Sequence, residues 1–239
     1  MAPRFVVLFA RAPRREAREK GLDGRAGEEL FGAFAAGWIS AARRAGARLV
    51  LASAPGDRPA WRRALPGADV LFVEQRGDSF GERLHGAARD AAALGGRTVV
   101  VGGDVPPSAE LLRDAFEHLD RDAEAVLAAA PDGGVSLLAF AAEDLDLLRG
   151  IAPRRRDVFA RLCERLRARG RRVAFVASVP DVDGRRRLRS LLAWLPLPLR
   201  QAARRALLAA RCAFTEPRPL SLLSGPTSPT GLRAPPAAA

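Results

Sequence analysis

Short, fully apolar runs alternate with amphipathic stretches along the first half of the chain. Residues 5–9 (FVVLF) make the first run, and an Ala-rich stretch with helical periodicity covers about residues 27–45. Residues 48–52 (RLVLA) follow, then a short helix around Trp61 and Leu65, then residues 70–73 (VLFV). A helix over residues 79–94 leads to residues 98–101 (TVVV), and another helix covers residues 108–119. Strands without polar alternation, joined by helices, predict an α/β fold with a parallel sheet covered on both faces.

After residue 120 the rhythm changes. Residues 125–128 (AVLA) and 135–140 (VSLLAF) read as strands separated only by Pro131-Asp132-Gly133-Gly134. Four residues cannot hold a helical crossover, so this pair is a hairpin-like excursion or a change of strand direction. A helix over residues 157–169 feeds a strand at 172–176, which runs on to Asp181-Val182-Asp183. Two short helices are expected at 188–194 and 199–212, split by Pro196 and Pro198. From residue 215 onward Pro, Ser, Thr and Ala dominate, the composition of a disordered tail. The expected division is an α/β domain over 1–192, a helical extension over 193–214, and the tail over 215–239.

Composition narrows the function. The chain has 239 residues and a formal net charge of +12, and Lys20 is its only lysine. Such a charge suits nucleic acid, a membrane surface or small anions such as nucleotides, and it equally follows from an Arg-favouring genome. Cys163 and Cys212 show no metal or disulfide spacing, and Cys163 reads as a core residue. The N-terminal apolar run is too short for a signal peptide, and no run reaches a membrane span, so a cytoplasmic location is expected. His85 and His118 lie within predicted helices, and no Ser-His-Asp arrangement is visible.

Candidate chemistry gathers just beyond the strands. Asp104, Asp132, Asp181 and Asp183 each follow a predicted strand, where an open parallel sheet binds its ligand. Gly102 and Gly103 would let the backbone approach that ligand, and Pro106 and Pro107 stiffen the exit. A carboxylate there can hold a divalent cation whose other ligands are water and phosphate. The competing readings are helix caps for Asp104, Asp181 and Asp183, and turn chemistry for Asp132-Gly133. The loop after the first strand carries five cations, Arg11, Arg14, Arg15, Arg18 and Lys20, suited to a diphosphate or to a solvated basic loop. It contains neither a P-loop nor a dinucleotide fingerprint. Ser79 and Glu82 have capping-box spacing.

The ordered motifs FARAPR, QRGDSFGERL, VVVGGDVPP, APDGGVSLLAF and DVD, spread over residues 4–192, resemble the glycosyltransferase-A-like family of bacterial proteins. That family includes transferases linked to arsenosugar biosynthesis. More distantly, the chain is similar to phospholactate and molybdenum-cofactor guanylyltransferases. The resemblance implies a three-layer α/β/α sandwich of the nucleotide-diphospho-sugar transferase type. It implies that Asp104 and Asp183 hold Mg2+ or Mn2+, and that Asp132, Gly133 and Gly134 shape the acceptor or sugar side. Arg11, Arg14, Lys20, Glu82, Arg83, Gly102 and Gly103 would then border the nucleotide. Glycosyl transfer from a nucleotide sugar to a small acceptor is the activity implied first, and no nucleic-acid partner is expected. Nucleotidyl transfer to a phosphorylated acceptor is the alternative, and a catalytically weakened relative kept for binding or assembly is another. Three departures bear on these alternatives. The family's P-G-x-x-K-T-R-L run is replaced at residues 15–22, with Lys20 displaced by one place. Val135-Ser136 replaces an aromatic, and residues 152–156 replace a W-S-T-like run. The arginine-rich stretch 191–214 is expected to pack over the sheet or to form an oligomer contact, with contact to a membrane surface as the less favoured alternative.

Overall fold

The computed structural model describes residues 2–140, 142–152 and 156–212, so the expected tail and most of the 152–156 replacement lie outside the described residues. Its strands are β1 (Arg4–Phe9), β2 (Arg48–Ser53), β3 (Leu71–Glu74), β4 (Arg97–Gly102), β5 (Ala125–Ala129), β6 (Val135–Phe140) and β7 (Val173–Phe175). They form one sheet in the order β3-β2-β1-β4-β6-β5-β7. Strand β6 runs antiparallel to both neighbours and the other pairings are parallel. The Pro131–Gly134 turn therefore does both things the sequence allowed. It makes a hairpin, and it reverses β6 into a slot between β4 and β5. Chain order moves outward from β1 through β2 to β3, then returns to β4 on the other side of β1. That reversal places a switch point between the carboxyl ends of β1 and β4.

Alternation along the strands feeds two cores. Val6 and Leu8 of β1, with Val99 and Val101 of β4, face α2 (Arg25–Arg44), α3 (Arg58–Ala64) and α5 (Ala109–Arg121), where Trp38, Trp61 and Phe116 are buried. Phe5, Val7 and Val100 face the other way. There they meet α4 (Phe80–Ala92), a 3₁₀ helix (Ala142–Gly150) and α6 (Val158–Ala168), with Cys163 among the buried residues. Helices on both faces of the sheet make the expected three-layer sandwich.

Three further helices stand outside this frame. The basic segment after β1 is helical, α1 (Pro13–Glu19), rather than a loop. Proline is favoured in a first turn and Arg, Glu and Ala are good helix formers, so local propensity explains the difference. At the other end, α7 (Arg185–Leu191) and α8 (Leu197–Cys212) form a further layer. Leu199, Ala203 and Leu207 of α8 share a cluster with Leu30, Phe31 and Phe34 of α2. The extension packs on a helix, not directly on the sheet. Pro198 falls in the first turn of α8, where no backbone donor is needed, so it starts this helix instead of delaying it.

Trp38 ties α2 to the turn after β4: its indole Nε1 donates to the Val105 carbonyl at 2.9 Å, in a buried setting. Trp38→Phe removes that donor and shrinks a fully buried ring. The variant should lose about 1–3 kcal/mol of unfolding free energy, read as a lower urea midpoint with an unchanged slope. An unchanged midpoint would mean that the turn is held by other contacts.

Candidate active site

A cavity of about 720 Å³ opens at the carboxyl ends of β1 and β4 and the amino end of antiparallel β6, a volume that suits a nucleotide-sized ligand. Its polar walls include Arg11 and Lys20, Gln75 with Arg76 and Arg83, Gly102 to Asp104, Asp132, and Asp181 with Asp183. The backbone sets several of these. Gly103 N donates to Phe9 O at 3.0 Å, which closes the end of β4 on β1. A Cβ on Gly103 would lie 2.5 Å from Ala10 Cβ, and one on Gly102 would lie 2.8 Å from Asp104 Oδ1. Both glycines line the cavity, but what demands them is chain-on-chain packing and room for the Asp104 carboxylate. Val182 N donates to Asp104 O at 2.8 Å, and Val182 is fully buried. A tight turn, in which Asp183 N donates to Asp181 O at 3.2 Å, buries Val182 and leaves both Asp181 and Asp183 on the cavity wall.

None of these aspartates is a helix cap. The cap of α5 is Ser108, whose hydroxyl accepts from Leu111 N at 3.1 Å. Helix α7 starts at Gly184 with no side-chain cap. Asp132 does perform turn chemistry, since its Oδ1 accepts from Gly134 N at 2.9 Å, while it also lines the cavity.

The charge centre is Lys20, at the C-terminal end of α1. Its Nζ donates to Asp104 Oδ2 at 2.6 Å and to Asp183 Oδ1 at 3.4 Å, and lies 4.0 Å from Glu16 Oε1. Burial alone would lower the ammonium pKa, but the Asp104 charge and hydrogen bond, with Glu16 and Asp183, outweigh it and raise the value. Glu16 is buried and its pKa is raised, first by burial and then by Asp104, despite Arg11 at 3.1 Å. Asp181 is pushed up from 3.8 to about 6 by burial and by the charges of Asp104 and Asp132. Helix α1 is held by buried Asp57, whose carboxylate accepts from Ala12 N at 3.0 Å and from Arg15 at 3.3 Å. Buried Gln75 donates its amide hydrogens to Ala10 O and Ala52 O, bracing the same corner.

Of the residues singled out from sequence, Arg11, Lys20, Arg83, Gly102, Gly103, Asp104, Asp132, Gly134 and Asp183 line the cavity. Three do not. Arg14 is exposed outside the lining, and Arg15 stands there in its place. The Glu82 carboxylate is engaged in the capping box, accepting from Asp78 N and Ser79 N, as its spacing suggested. Gly133 adopts φ +90°, and a Cβ there would lie 1.9 Å from the Arg156 carbonyl, so the hairpin requires it. Glu16, Asp57 and Gln75 are contributors that sequence reasoning missed. A helical reading of residues 13–19 would have found Glu16, because it places Glu16 and Lys20 one turn apart.

The oxygens of Asp104 and Asp183 converge on a single cationic nitrogen, a geometry that a hard divalent cation could replace. Among the described residues no group of three or more His, Cys, Asp or Glu is placed to hold a metal. A cation here would draw on two carboxylates, with water and phosphate completing its shell, and the donor set fits Mg2+ or Mn2+ on that basis.

Residues 38–153 match DUF2064. The family is described as an uncharacterized protein conserved in bacteria. The DUF2064 stretch carries Asp104 and Asp132 and ends before Asp183, while Lys20 precedes it. No curated protein matches the chain. Its fold is similar to that of a candidate nucleotide-diphospho-sugar transferase from Desulfovibrio desulfuricans G20, with TM-score 0.75 and 24% identity over 89% of this chain and 98% of that one. It is also similar to a Methanothermobacter nucleotidyl transferase, with TM-score 0.51 and 21% identity over 85% and 98% of the two chains. A third is 4-diphosphocytidyl-2C-methyl-D-erythritol synthase from Anaerococcus prevotii, with TM-score 0.54 and 12% identity over 87% and 96%. These identities are low and the likeness is one of fold. The DUF2064 match and the nucleotide-diphospho-sugar transferase or nucleotidyltransferase type of fold bear out the resemblance drawn from the motifs.

Asp181 offers a pH test. A carboxyl whose folded pKa stands above its unfolded value favours folding while protonated, and that contribution is lost as pH rises from about 4 to about 6. Above that window the ionised group opposes folding. In metal-free and nucleotide-free protein, Asp181→Asn should raise Tm at pH 7.5 and leave it nearly unchanged at pH 4. Equal shifts at both pH values would contradict the repulsion.

Proposed function

We propose that this chain is a transferase acting on a nucleotide-activated donor, with glycosyl transfer from a nucleotide sugar as its reaction. The observation that carries the reading is the convergence of Asp104 and Asp183 on one cationic point beside Arg11, at the switch point of the sheet. Glycosyl transfer leaves a nucleoside diphosphate, and charge building on its phosphates is the chief electrostatic demand. Asp104 and Asp183 would hold a Mg2+ or Mn2+ ion, which would supply positive charge against that of the departing diphosphate. Arg11 and Arg15 stand at the cavity wall where they can pair with phosphate oxygens, Arg15 taking the part expected of Arg14. Lys20 neutralises the carboxylates before the ligand arrives and can move onto phosphate once another cation takes them. Asp132 and Gly134, on the β5–β6 hairpin, face the side left for the sugar or acceptor.

One observation favours a second reading, nucleotidyl transfer. That reaction develops charge on an α-phosphate and relies on a cation from the first segment. Lys20 is displaced in sequence, yet α1 still delivers its ammonium to Asp104.

The test is a thermal-shift panel of nucleoside diphosphates, triphosphates and nucleotide sugars, with and without Mn2+ or Mg2+, on wild type and Asp104→Asn. Saturation at a hundred times Kd adds about 2.7 kcal/mol, which raises Tm by several degrees. The shift should require metal and vanish in Asp104→Asn. Release of nucleoside diphosphate then marks glycosyl transfer, and release of pyrophosphate marks nucleotidyl transfer. Binding without either product would leave a binding role, and no shift with any nucleotide would end the transferase reading.

A further inference from the structure

The layer formed by α7 and α8 plays no part in the cavity, and its outward face has its own chemistry. From Gly184 to Cys212 the chain carries eight arginines and no aspartate or glutamate. One side of α8 is spent on α2, through Leu199, Ala203, Ala206 and Leu207. The opposite side presents Leu197, Gln201, Arg204, Arg205 and Leu208 at helical spacing. Leu197 and Leu208 are 63% and 60% exposed, and Trp194, in the turn between the two helices, is 84% exposed. Arg186 and Arg189 of α7 are exposed as well. Among the described residues, none of Arg186, Arg189, Arg204 or Arg205 forms an ion pair.

An aromatic this large is normally buried, and tryptophan has a particular affinity for the zone between lipid headgroups and acyl chains. We propose that this face docks on an anionic lipid surface. Trp194 and Leu197 enter the headgroup zone, and Arg186, Arg189, Arg204 and Arg205 pair with the headgroup phosphates. Charge decides between occupants. A second copy of the chain would set arginines against arginines across a two-fold axis, which is repulsive. Nucleic acid would satisfy the arginines but leaves the exposed Trp194 and leucines without an apolar partner. An anionic bilayer satisfies both. No helix among the described residues is long and apolar enough to cross a membrane, so the contact is with the surface.

The chain contains its own reporter. Of its three tryptophans, Trp38 and Trp61 are buried, at 0% and 1% exposure, so a lipid-dependent change in emission comes from Trp194. The full-length chain is mixed with vesicles of phosphatidylcholine alone, or with phosphatidylglycerol added, with and without brominated acyl chains. The expected result is a blue shift, and quenching by the brominated lipid, only when phosphatidylglycerol is present. Trp194→Phe should remove the quenching while co-sedimentation with the vesicles largely remains. Arg→Gln changes at 186, 189, 204 and 205 should weaken partitioning about fivefold per arginine with Tm unchanged. The proposal is overturned by absence of binding, or by equal binding to neutral vesicles. It is equally overturned by self-association that shields Trp194 without lipid, or by capture of RNA where vesicles fail.

Discussion

A single ammonium group, that of Lys20, balances the carboxylates that converge on the cavity. Asp104, Asp183 and Glu16 reach it from three separate segments; Glu16 and Asp104 are enclosed enough to feel its charge strongly, while Asp183 stands mostly in solvent. The ammonium is 88% enclosed on the side-chain scale, its exposure being 12%, so solvent does little of this work. Much of the surrounding architecture serves its placement. Pro13 starts α1, Asp57 fastens the helix to the end of β2, and the closure of Gly103 on Phe9 sets Asp104 opposite. The Val182–Asp104 backbone bond brings the Asp181–Asp183 segment, which lies in the chain beyond β7 and not at the strand end expected from sequence, to the same point.

That arrangement also explains how a site with a displaced lysine can remain assembled. Lys20 stands one turn after Glu16 at the end of a helix, and that placement delivers its ammonium to Asp104 and Asp183. In the proposed reaction, Lys20 and a divalent ion would be alternatives for the place between Asp104 and Asp183.

Much of the frame was legible in the chain. Unbroken apolar runs such as residues 98–101 can belong only to strands buried on both faces, and the four-residue gap at 131–134 forbade a crossover. Strand-end aspartates were legible too, because glycine and proline punctuate them. Other features were hidden for physical reasons. The density of charge in residues 11–21 concealed a helix, since periodicity is read from apolar positions and this helix buries Pro13, Glu16 and Ala17. Asp57 and Gln75 serve backbone groups far away in sequence, which no local pattern records. The glycines at 102 and 103 were visible, but their reason, contact with Ala10 and with the Asp104 carboxylate itself, exists only in three dimensions. At the C-terminal end, the sequence left packing and surface contact as competitors. The helix does the first with one face, and its other face is exposed among the described residues.

The most direct test of the central charge balance is a double-mutant cycle by urea unfolding, using Lys20→Met, Asp104→Asn and the pair together in metal-free protein. The account predicts that the two changes are strongly coupled, by about 1–3 kcal/mol, with the double variant more stable than Lys20→Met alone. Additivity within about 0.5 kcal/mol would contradict it, because the ammonium would then not be what holds the carboxylates together.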